Sequence, residues 1–478
     1  MIFSSSVFIF IFLPVCLAGY FLIPKANLRV KNVFLLVMSF VFYSYGEPKF
    51  VFILALSICA NWLFGLGIDR WRENNKLSKM IMLIMVVFNI GILCIFKYLN
   101  FAIFNLNKLP GIDFVQTEIL LPIGISFFTF QAMSYCIDVY RGSAQVQKNL
   151  LTTALYISFF PALVAGPIIR YKSIAEQLLS RTTTLDDFVY GLKRFIIGLA
   201  KKLIIANTVA ACADSAFNAA YGDNMPVLLA WLGAICYTIQ IYFDFSGYSD
   251  MAIGMGRMFG FKFDENFNNP YIAGSITEFW RRWHISLSSW FRDYVYIPLG
   301  GSRVDNKGRL VFNLFVTWML TGVWHGANWT FVFWGFFYFV LLTFEKMLDI
   351  PHKTKEYPIF GLGYRVFTIL CFVAGWVVFR SDSISHAMGY LKAMVGLSGS
   401  QGTTILYDPN SMYFLSQYAV IIIIAIFFCT PAIGIITSHI KNCLAKSIGG
   451  VVVYIVLLFL ALAFMASSQY NPFIYFNF

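Results

Sequence analysis

One histidine of this chain lies where the sequence leaves little room for water. His325 belongs to Trp324-His325-Gly326-Ala327-Asn328, between apolar runs at 310–323 and 330–343. Ionisable residues at membrane depth usually face a cavity, so they are candidates for function. Histidine can also accept and return a proton near neutral pH. His325 is therefore the first candidate for a catalytic residue, and Trp324 and Asn328 are candidate walls of its site.

The length of the apolar stretch around His325 supports this interpretation. The 34 residues of 310–343 would span about 51 Å as one helix, which exceeds a hydrocarbon core of about 30 Å. Either two segments meet near His325, or one long helix lies deep in the protein. Gly326 and Ala327 leave space for a substrate, and the Asn328 amide could donate to an oxyanion. The alternative is a buried histidine that is hydrogen-bonded for structure.

A second histidine, His284, lies in the most polar long stretch of the chain. On a helix, Arg281 at i−3 and Ser288 at i+4 would share one stripe with His284, and Arg282 is adjacent. Charges and tryptophans at this density cannot cross a bilayer in contact with lipid, which predicts an interfacial or re-entrant helix lining a cavity. An amphipathic surface helix whose histidine touches headgroups is the alternative.

A third polar cluster follows an apolar run at 228–243. Asp244, Ser246 and Tyr248 recur around Gly247, which permits a break in the helix. A broken helix at membrane depth is tolerated only inside protein or beside water, so these residues are candidates for a wall of the site. The alternative is a span that ends at the interface, where tyrosines anchor it.

The chemistry that fits these residues is general-base catalysis of acyl transfer. The nine cysteines form no CxxC pair, and the sequence shows no metal cluster, Gly-rich phosphate loop or Ser-His-Asp pattern. We therefore predict neither a metal site nor a bound cofactor. A histidine could take the proton of a hydroxyl as it attacks a thioester carbonyl. A buried site would keep water from hydrolysing the activated acyl group.

Composition places the chain among multi-pass membrane proteins. Hydrophobic residues make up 59% and charged residues 12%, against about 25% charge in soluble domains, and the mean hydropathy is +0.72. We expect an all-α polytopic protein with about eleven transmembrane helices and shorter re-entrant helices around a central funnel or tunnel. No long segment is polar enough for a separate domain, so a single integral membrane domain over 1–478 is predicted.

Basic residues orient the first half of the chain. If Met1 lies outside, the predicted inner loops hold nine Lys and Arg residues and the outer loops hold three: Lys25, Arg29, Lys31, Arg70, Arg72, Lys76, Lys79, Arg141 and Lys148 against Lys49, Lys97 and Lys108. The positive-inside rule favours an extracytoplasmic N-terminus. The net charge of +12 then reflects topology and anionic lipid, and no nucleic-acid partner is expected.

Several motifs in a fixed order resemble one protein family. They are Leu121-Pro122-Ile123-Gly124-Ile125-Ser126-Phe127, Asp138-Val139-Tyr140-Arg141-Gly142, Asp244-Phe245-Ser246-Gly247-Tyr248-Ser249-Asp250, Asn269-Pro270-Tyr271, Glu278-Phe279-Trp280-Arg281-Arg282-Trp283-His284 and Trp324-His325-Gly326. The chain resembles the membrane-bound O-acyltransferase family, in the bacterial branch of alginate O-acetylation and teichoic-acid D-alanylation. The resemblance covers about residues 1–390 and is densest at about 118–345.

The resemblance to this family implies roles for both histidines and a path for the acyl group. It implies that His325 matches the catalytic histidine of the family and His284 its second functional histidine. It also implies a relay in a bacterial inner membrane. A cytoplasmic acyl thioester such as acetyl-CoA donates, and an extracytoplasmic SGNH-type acetyltransferase, or a related envelope protein, completes transfer to a polysaccharide.

The expected function is O-acyl transfer, with acetyl as the acyl group and an extracytoplasmic polysaccharide hydroxyl as acceptor. D-alanyl transfer to teichoic acid is the alternative within this class. A transporter or flippase of an envelope precursor would also bury ionisable residues, but duplicated halves are expected there and none are evident. A non-catalytic scaffold of a glycan machine is a third alternative.

Overall fold

The protein is built from helices. The computed structural model describes residues 1–219, 224–397, 405–439, 443–467 and 474, and every regular element in these ranges is helical. This confirms the predicted all-α membrane fold. The chain divides into two compact units, Met1–Phe195 with Tyr248–Glu265, and Ile196–Gly247 with Asn266–Phe478. The single domain predicted over 1–478 stays a prediction.

The first unit contains the helices of the N-terminal half. They are α1 (Leu13–Leu22), α2 (Leu28–Gly46), α3 (Val51–Arg70), α4 (Asn75–Leu93), α5 (Leu99–Leu106), α6 (Ile125–Tyr140), α7 (Leu150–Ser158), α8 (Phe160–Leu163), α9 (Tyr171–Leu179) and the start of α10 (Leu185–Ala200). Short π-helical segments, Phe8–Phe12 and Cys94–Tyr98, adjoin α1 and α4.

The second unit contains the candidate histidines. Its helices are α11 (Asn207–Ala219), most of α12 (Val227–Met258), α13 (Ile276–Arg282), α14 (Ile285–Phe291), α15 (Lys307–His325), α16 (Trp329–Met347), α17 (Ile350–Glu356), α18 (Pro358–Arg380), α19 (Ile384–Met394), α20 (Pro409–Phe428), α21 (Ala432–His439) and α22 (Cys443–Ser467). The π-helical segments Lys201–Ala206 and Arg292–Tyr296 and a 3-10 turn at Pro270–Ile272 complete it.

Nine helices within the described ranges are long and apolar enough to cross a membrane. They are Leu28–Gly46, Val51–Arg70, Asn75–Leu106, Leu185–Ala219, Val227–Met258, Trp329–Met347, Pro358–Arg380, Pro409–Phe428 and Ile448–Ser467. The sequence predicts about eleven. Two largely apolar segments, 120–139 and 151–168, form shorter helices. Gly124, at φ +77°, precedes α6, and Pro161 lies in a four-residue helix directly after α7.

Residues 310–343 form a helical hairpin, as one of the two sequence interpretations requires. Helix α15 ends at His325 and α16 begins at Trp329. The helices approach closely at two glycines: a Cβ on Gly322 would lie 3.1 Å from the Cα of Gly335, and a Cβ on Gly335 would lie 2.6 Å from the Trp318 carbonyl oxygen. Small residues at a helix interface let the two backbones approach. The hairpin therefore fixes the depth of the turn that carries His325.

The predicted break at Gly247 is wrong. Helix α12 continues through it from Val227 to Met258. A Cβ on Gly247 would lie 2.7 Å from the carbonyl oxygen of Gly198 and 3.2 Å from the Cβ of Lys201. The glycine therefore serves close packing of α12 against α10 and the π-helical segment after it, and it leaves the α12 backbone regular.

A buried carboxylate holds the N-terminus of α13. Glu345, near the end of α16, is fully buried. Its oxygens accept hydrogen bonds from the backbone N–H of Ile276 at 2.6 Å and from the N–H and hydroxyl of Thr277 at 2.7 and 2.5 Å. The Ser275 hydroxyl accepts from the N–H of Glu278 at 3.1 Å. Donors left open at a helix start thus find acceptors, and the negative charge lies at the positive end of the helix dipole.

Replacing Gly335 should loosen the hairpin. Gly335→Ala places a methyl group against the rigid backbone of Trp318, and overpacking of this kind costs about 1–3 kcal/mol. We expect a lower melting temperature of the detergent-purified protein, followed by tryptophan fluorescence. Gly389→Ala is the matched control, because nothing lies within 4 Å of a Cβ there. Equal melting temperatures for the two variants would contradict the packing argument.

Removing the Glu345 carboxylate should free the start of α13. Glu345→Ala leaves two buried N–H groups without their acceptor, at a cost of about 1–3 kcal/mol each. We expect a melting temperature well below that of Glu356→Gln, an acidic residue with a half-exposed side chain. Glu345→Gln keeps one acceptor oxygen and should fall between them. A Glu345→Ala protein as stable as the Glu356 control would rule out the capping role.

Candidate functional site

His325 ends α15 and enters an aromatic enclosure. The chain turns sharply after it, since Gly326 is extended at φ −173° and Asn328 caps α16 through its side-chain oxygen, which accepts from the N–H of Thr330 at 3.1 Å. The imidazole is 7% exposed. The rings of Phe379, Trp334 and Trp324 meet it edge to face, with centroids at 5.0, 5.1 and 5.1 Å.

The space expected beside Gly326 is occupied. A Cβ on Gly326 would overlap the ring of Phe331, so the glycine accommodates an aromatic side chain of the protein. This corrects the prediction that a substrate approaches His325 over Gly326. The open space at His325 lies instead in a cavity formed with α13, α14 and the π-helical segment after α14.

His284 lies at a break between two short helices, and the predicted continuous stripe of Arg281, His284 and Ser288 is wrong. Helix α13 ends at Arg282 and α14 begins at Ile285, with His284 left-handed at φ +43° and ψ +54°. That conformation is uncommon outside glycine and costs about 1–2 kcal/mol. Hydrogen bonds across the break offset the cost: the N–H of Asn268 donates to the Arg282 carbonyl, and the N–H of Ile285 donates to the Asn266 carbonyl, both at 2.9 Å.

Asn266 contacts His284 directly, and sequence reasoning missed it. Its side chain is fully buried, and its Oδ1 lies 3.1 Å from Nδ1 of His284. The same oxygen accepts from the N–H of Ser286 at 3.2 Å and from its hydroxyl at 2.9 Å. The available signal was weak: Asn266 stands in a polar run before Pro270 with no periodicity that predicts burial.

Both histidines line one cavity of about 170 Å³. Its remaining walls are mainly aromatic and apolar, with some hydroxyl groups and one guanidinium: Trp280, Trp283, Leu287, Ser288, Phe291, Arg292, Tyr296, Leu314, Thr317, Trp318 and Thr321. Trp324 lies close to both imidazoles, 6.2 Å from His284 and 5.1 Å from His325 between ring centroids. The cavity thus combines two imidazoles and several hydroxyl groups with a largely apolar wall.

The environment keeps His284 neutral. Burial, and after it the charge of nearby His325, lowers the pKa of His284 well below its ordinary value of 6.5. Phe245 adds to the apolar surroundings, with its ring edge to face at 4.6 Å. A neutral imidazole carries one N–H donor and one nitrogen lone pair, so it can accept a hydrogen bond or a proton.

The other predicted residues on α13 to α16 have different positions. Ser288 lines the cavity, whereas Arg281 is exposed. Arg282 forms an ion pair with Glu278 at 2.7 Å. The Asn328 amide nitrogen donates to the Asp382 carbonyl at 2.9 Å, so both ends of this side chain serve the turn.

The Asp244 cluster does not join the histidines in the cavity. Asp244 forms a buried ion pair with Lys202 at 2.5 Å, and its Oδ2 accepts from the N–H of Ile474 at 2.9 Å. Ser246 is buried on the same helix. Tyr248 belongs to the first unit, where its ring stacks on Phe3 at 4.3 Å.

Metal-ligating side chains are dispersed through the part of the chain that the structure describes. No group of three or more His, Cys, Asp or Glu residues there could hold a metal ion. The polar side chains that line the cavity carry imidazole, hydroxyl, indole and guanidinium groups.

The comparisons with a family model and with known proteins agree on one family. The model of the membrane-bound O-acyltransferase family matches residues 140–379. The chain is 45% identical to the probable alginate O-acetylase AlgI of Pseudomonas aeruginosa, over 86% of this chain and 77% of that protein. It is 34% identical to the peptidoglycan O-acetyltransferase of Helicobacter pylori, over 84% and 80%, and 34% identical to the teichoic acid D-alanyltransferase of Bacillus subtilis, over 47% and 60%.

The matched region includes His284, His325 and all the cavity residues. Multiple apolar helices, two imidazoles at one cavity and these relatives agree with each other and with the resemblance seen in the sequence. The chain belongs to the membrane-bound O-acyltransferase family and is a multi-pass membrane O-acyltransferase.

Proposed function

We propose that this protein transfers an acetyl group from a thioester donor toward a hydroxyl of an extracytoplasmic polysaccharide such as alginate. The observation that carries the proposal is the position of His284 and His325 on one cavity. Acetyl-CoA is the donor in this proposal, and a bacterial inner membrane is the location. An extracytoplasmic SGNH-type acetyltransferase, or a related envelope protein, passes the group on to the polysaccharide.

In this proposal His325 is the general base. Its imidazole takes the proton of the attacking hydroxyl while the hydroxyl oxygen bonds to the thioester carbonyl carbon. The tetrahedral intermediate then breaks its carbon–sulfur bond, and the thiolate leaves with the proton from the imidazolium. An ester and a free thiol result, so no oxidant or reductant is needed. The imidazole returns to its neutral form after each transfer.

The aromatic wall supports this chemistry. Trp280, Trp283 and Trp318 line the cavity together with the histidines. A mainly apolar wall disfavours water that would hydrolyse the thioester, and it strengthens polar interactions beside it. His284 contributes a neutral polar group to the same space and positions the acceptor or the donor.

The relatives favour acetyl over D-alanyl transfer. The alginate and peptidoglycan O-acetylating relatives match 86% and 84% of this chain, whereas the D-alanyltransferase matches 47%. Identity to the alginate relative is 45%, against 34% to the peptidoglycan relative. We therefore propose acetyl as the group and alginate as the first acceptor to test.

Removing the His325 imidazole should abolish transfer. In inside-out vesicles that enclose alginate and the extracytoplasmic partner, with radiolabelled acetyl-CoA added outside, we expect His325→Ala to lower ester-linked label at least about 100-fold, the lower range for loss of a general base. His284→Ala should also impair transfer. His352→Ala is the matched control, because that side chain is 71% exposed, and it should behave as wild type.

The same assay also gives the outcomes that would contradict these assignments. Near-normal transfer by a well-folded His325→Ala protein would remove the catalytic assignment. An unchanged rate for His284→Ala would reduce that residue to a structural role. If vesicles transfer D-alanyl from a thioester carrier but no acetyl from acetyl-CoA, the acetyl proposal is wrong and the D-alanyl alternative replaces it.

A further inference from the structure

The contacts of Asn266 determine which nitrogen of His284 carries the proton. Three polar groups converge on its Oδ1: the backbone N–H of Ser286, the hydroxyl of Ser286, and Nδ1 of His284, at 3.2, 2.9 and 3.1 Å. A backbone N–H can only donate. The atom it contacts is therefore the oxygen of the amide and not its nitrogen, which settles the orientation of the Asn266 side chain.

An amide oxygen can only accept, so Nδ1 of His284 must be the donor in this pair. The Ser286 hydroxyl lies 3.4 Å from the same nitrogen. The hydrogen of the Ser286 hydroxyl points to the Asn266 oxygen, so the lone pairs of that hydroxyl oxygen face Nδ1. Both neighbours of Nδ1 thus present lone pairs, and both favour a hydrogen on that nitrogen.

The other nitrogen, Nε2, then bears the lone pair whenever His284 is neutral. His284 lines the cavity, while Asn266 and Ser286 do not. The Nδ1 edge of the ring therefore faces the supporting residues, and the opposite edge is the one that the cavity can reach. The left-handed backbone at His284 presents the ring in this orientation.

We infer that Asn266 is a positioning residue that holds His284 in its Nδ1–H form, so that Nε2 accepts a hydrogen bond from a group of the bound acceptor other than the hydroxyl that His325 deprotonates. This inference rests on the proposed function and deepens it, because it assigns recognition of the acceptor to the His284 side of the cavity. An Nε2 lone pair cannot donate to the oxyanion of the tetrahedral intermediate. His284 therefore recognises the acceptor beside its attacking hydroxyl, and other donors stabilise the oxyanion.

The described groups that face the His284 ring from other elements are mainly aromatic. Helix α12 presents Phe245 to the imidazole, and α15 presents Trp324 and His325. The π-helical segment after α14 adds Arg292 and Tyr296 to the cavity. A negative charge at position 266 would thus be a new and dominant influence, because it would contact Nδ1 directly.

The Asn266→Asp variant provides the sharpest test. A carboxylate keeps the acceptor for Nδ1–H but stabilises the imidazolium, which raises the pKa of His284. Because transfer needs neutral His284, activity is lost as pH falls through that pKa. We expect the acidic limb of the kcat profile to move to higher pH by about one unit or more, with activity retained at high pH. Asn266→Ala should instead lower kcat about 10-fold or more at every pH.

Asn268→Asp is the matched control. It adds the same charge two residues away on an exposed side chain, so its acidic limb should coincide with that of the wild type. An Asn266→Asp enzyme whose limb stays at the wild-type position, with normal folding by size exclusion, would overturn the inference. A purely structural role of Asn266 would change the amount of folded protein and leave the profile in place.

If substitutions of Asn266 prevent folding, a measurement on the wild-type protein still tests the inference. Solid-state NMR of ¹⁵N-histidine-labelled wild type, with the His284 signals identified by their absence from His284→Gln, reports which nitrogen carries the hydrogen. We expect a protonated Nδ1 and an unprotonated Nε2, and the reverse assignment would falsify the inference. This result does not depend on catalysis. Failure of acetyl transfer by the wild type would therefore count against the proposed function alone.

Discussion

The burial of two imidazoles beside each other is the constraint on which the site depends. A charged group in an apolar interior is costly, whereas a neutral polar group is tolerated when its hydrogen bonds are made. His284 meets this condition through Asn266, and its nearness to His325 disfavours two positive charges at once. The aromatic rings of Phe245 and Trp324 add to the apolar surroundings that favour the neutral form of His284. His284 therefore keeps one unprotonated ring nitrogen, which can accept a hydrogen bond or a proton.

Hydrogen bonds from several elements hold the backbone around His284 in place. Its left-handed conformation is held by hydrogen bonds from residues 266–268 to either side of the break. Glu345 of α16 fixes the other end of α13. The position of one imidazole is thus set by groups from sequence-distant segments, and Asn266 among them contacts the ring directly.

The sequence predicts the parts of this structure that depend on composition and length. The helical membrane fold follows from composition, and the hairpin around His325 is one of the two arrangements that the length of the apolar stretch allows. A shared function of His284 and His325 was implied by the family resemblance. The left-handed joint at His284 could not be predicted, because a continuous helix satisfies the same local pattern. Asn266 and Glu345 were missed for a related reason: their roles depend on distant backbone groups. Gly247 misled the prediction, since a glycine that serves helix packing looks the same in sequence as one that breaks a helix.

Helix α16 is tied to both imidazoles, although neither belongs to it. Its first residues follow directly from the turn after His325, and near its last turn Glu345 holds the segment that leads to His284. Glu345 lies about 24 Å along the helix from Trp329 at 1.5 Å per residue. A tilt of helix α16 would therefore move the imidazoles of His284 and His325 together.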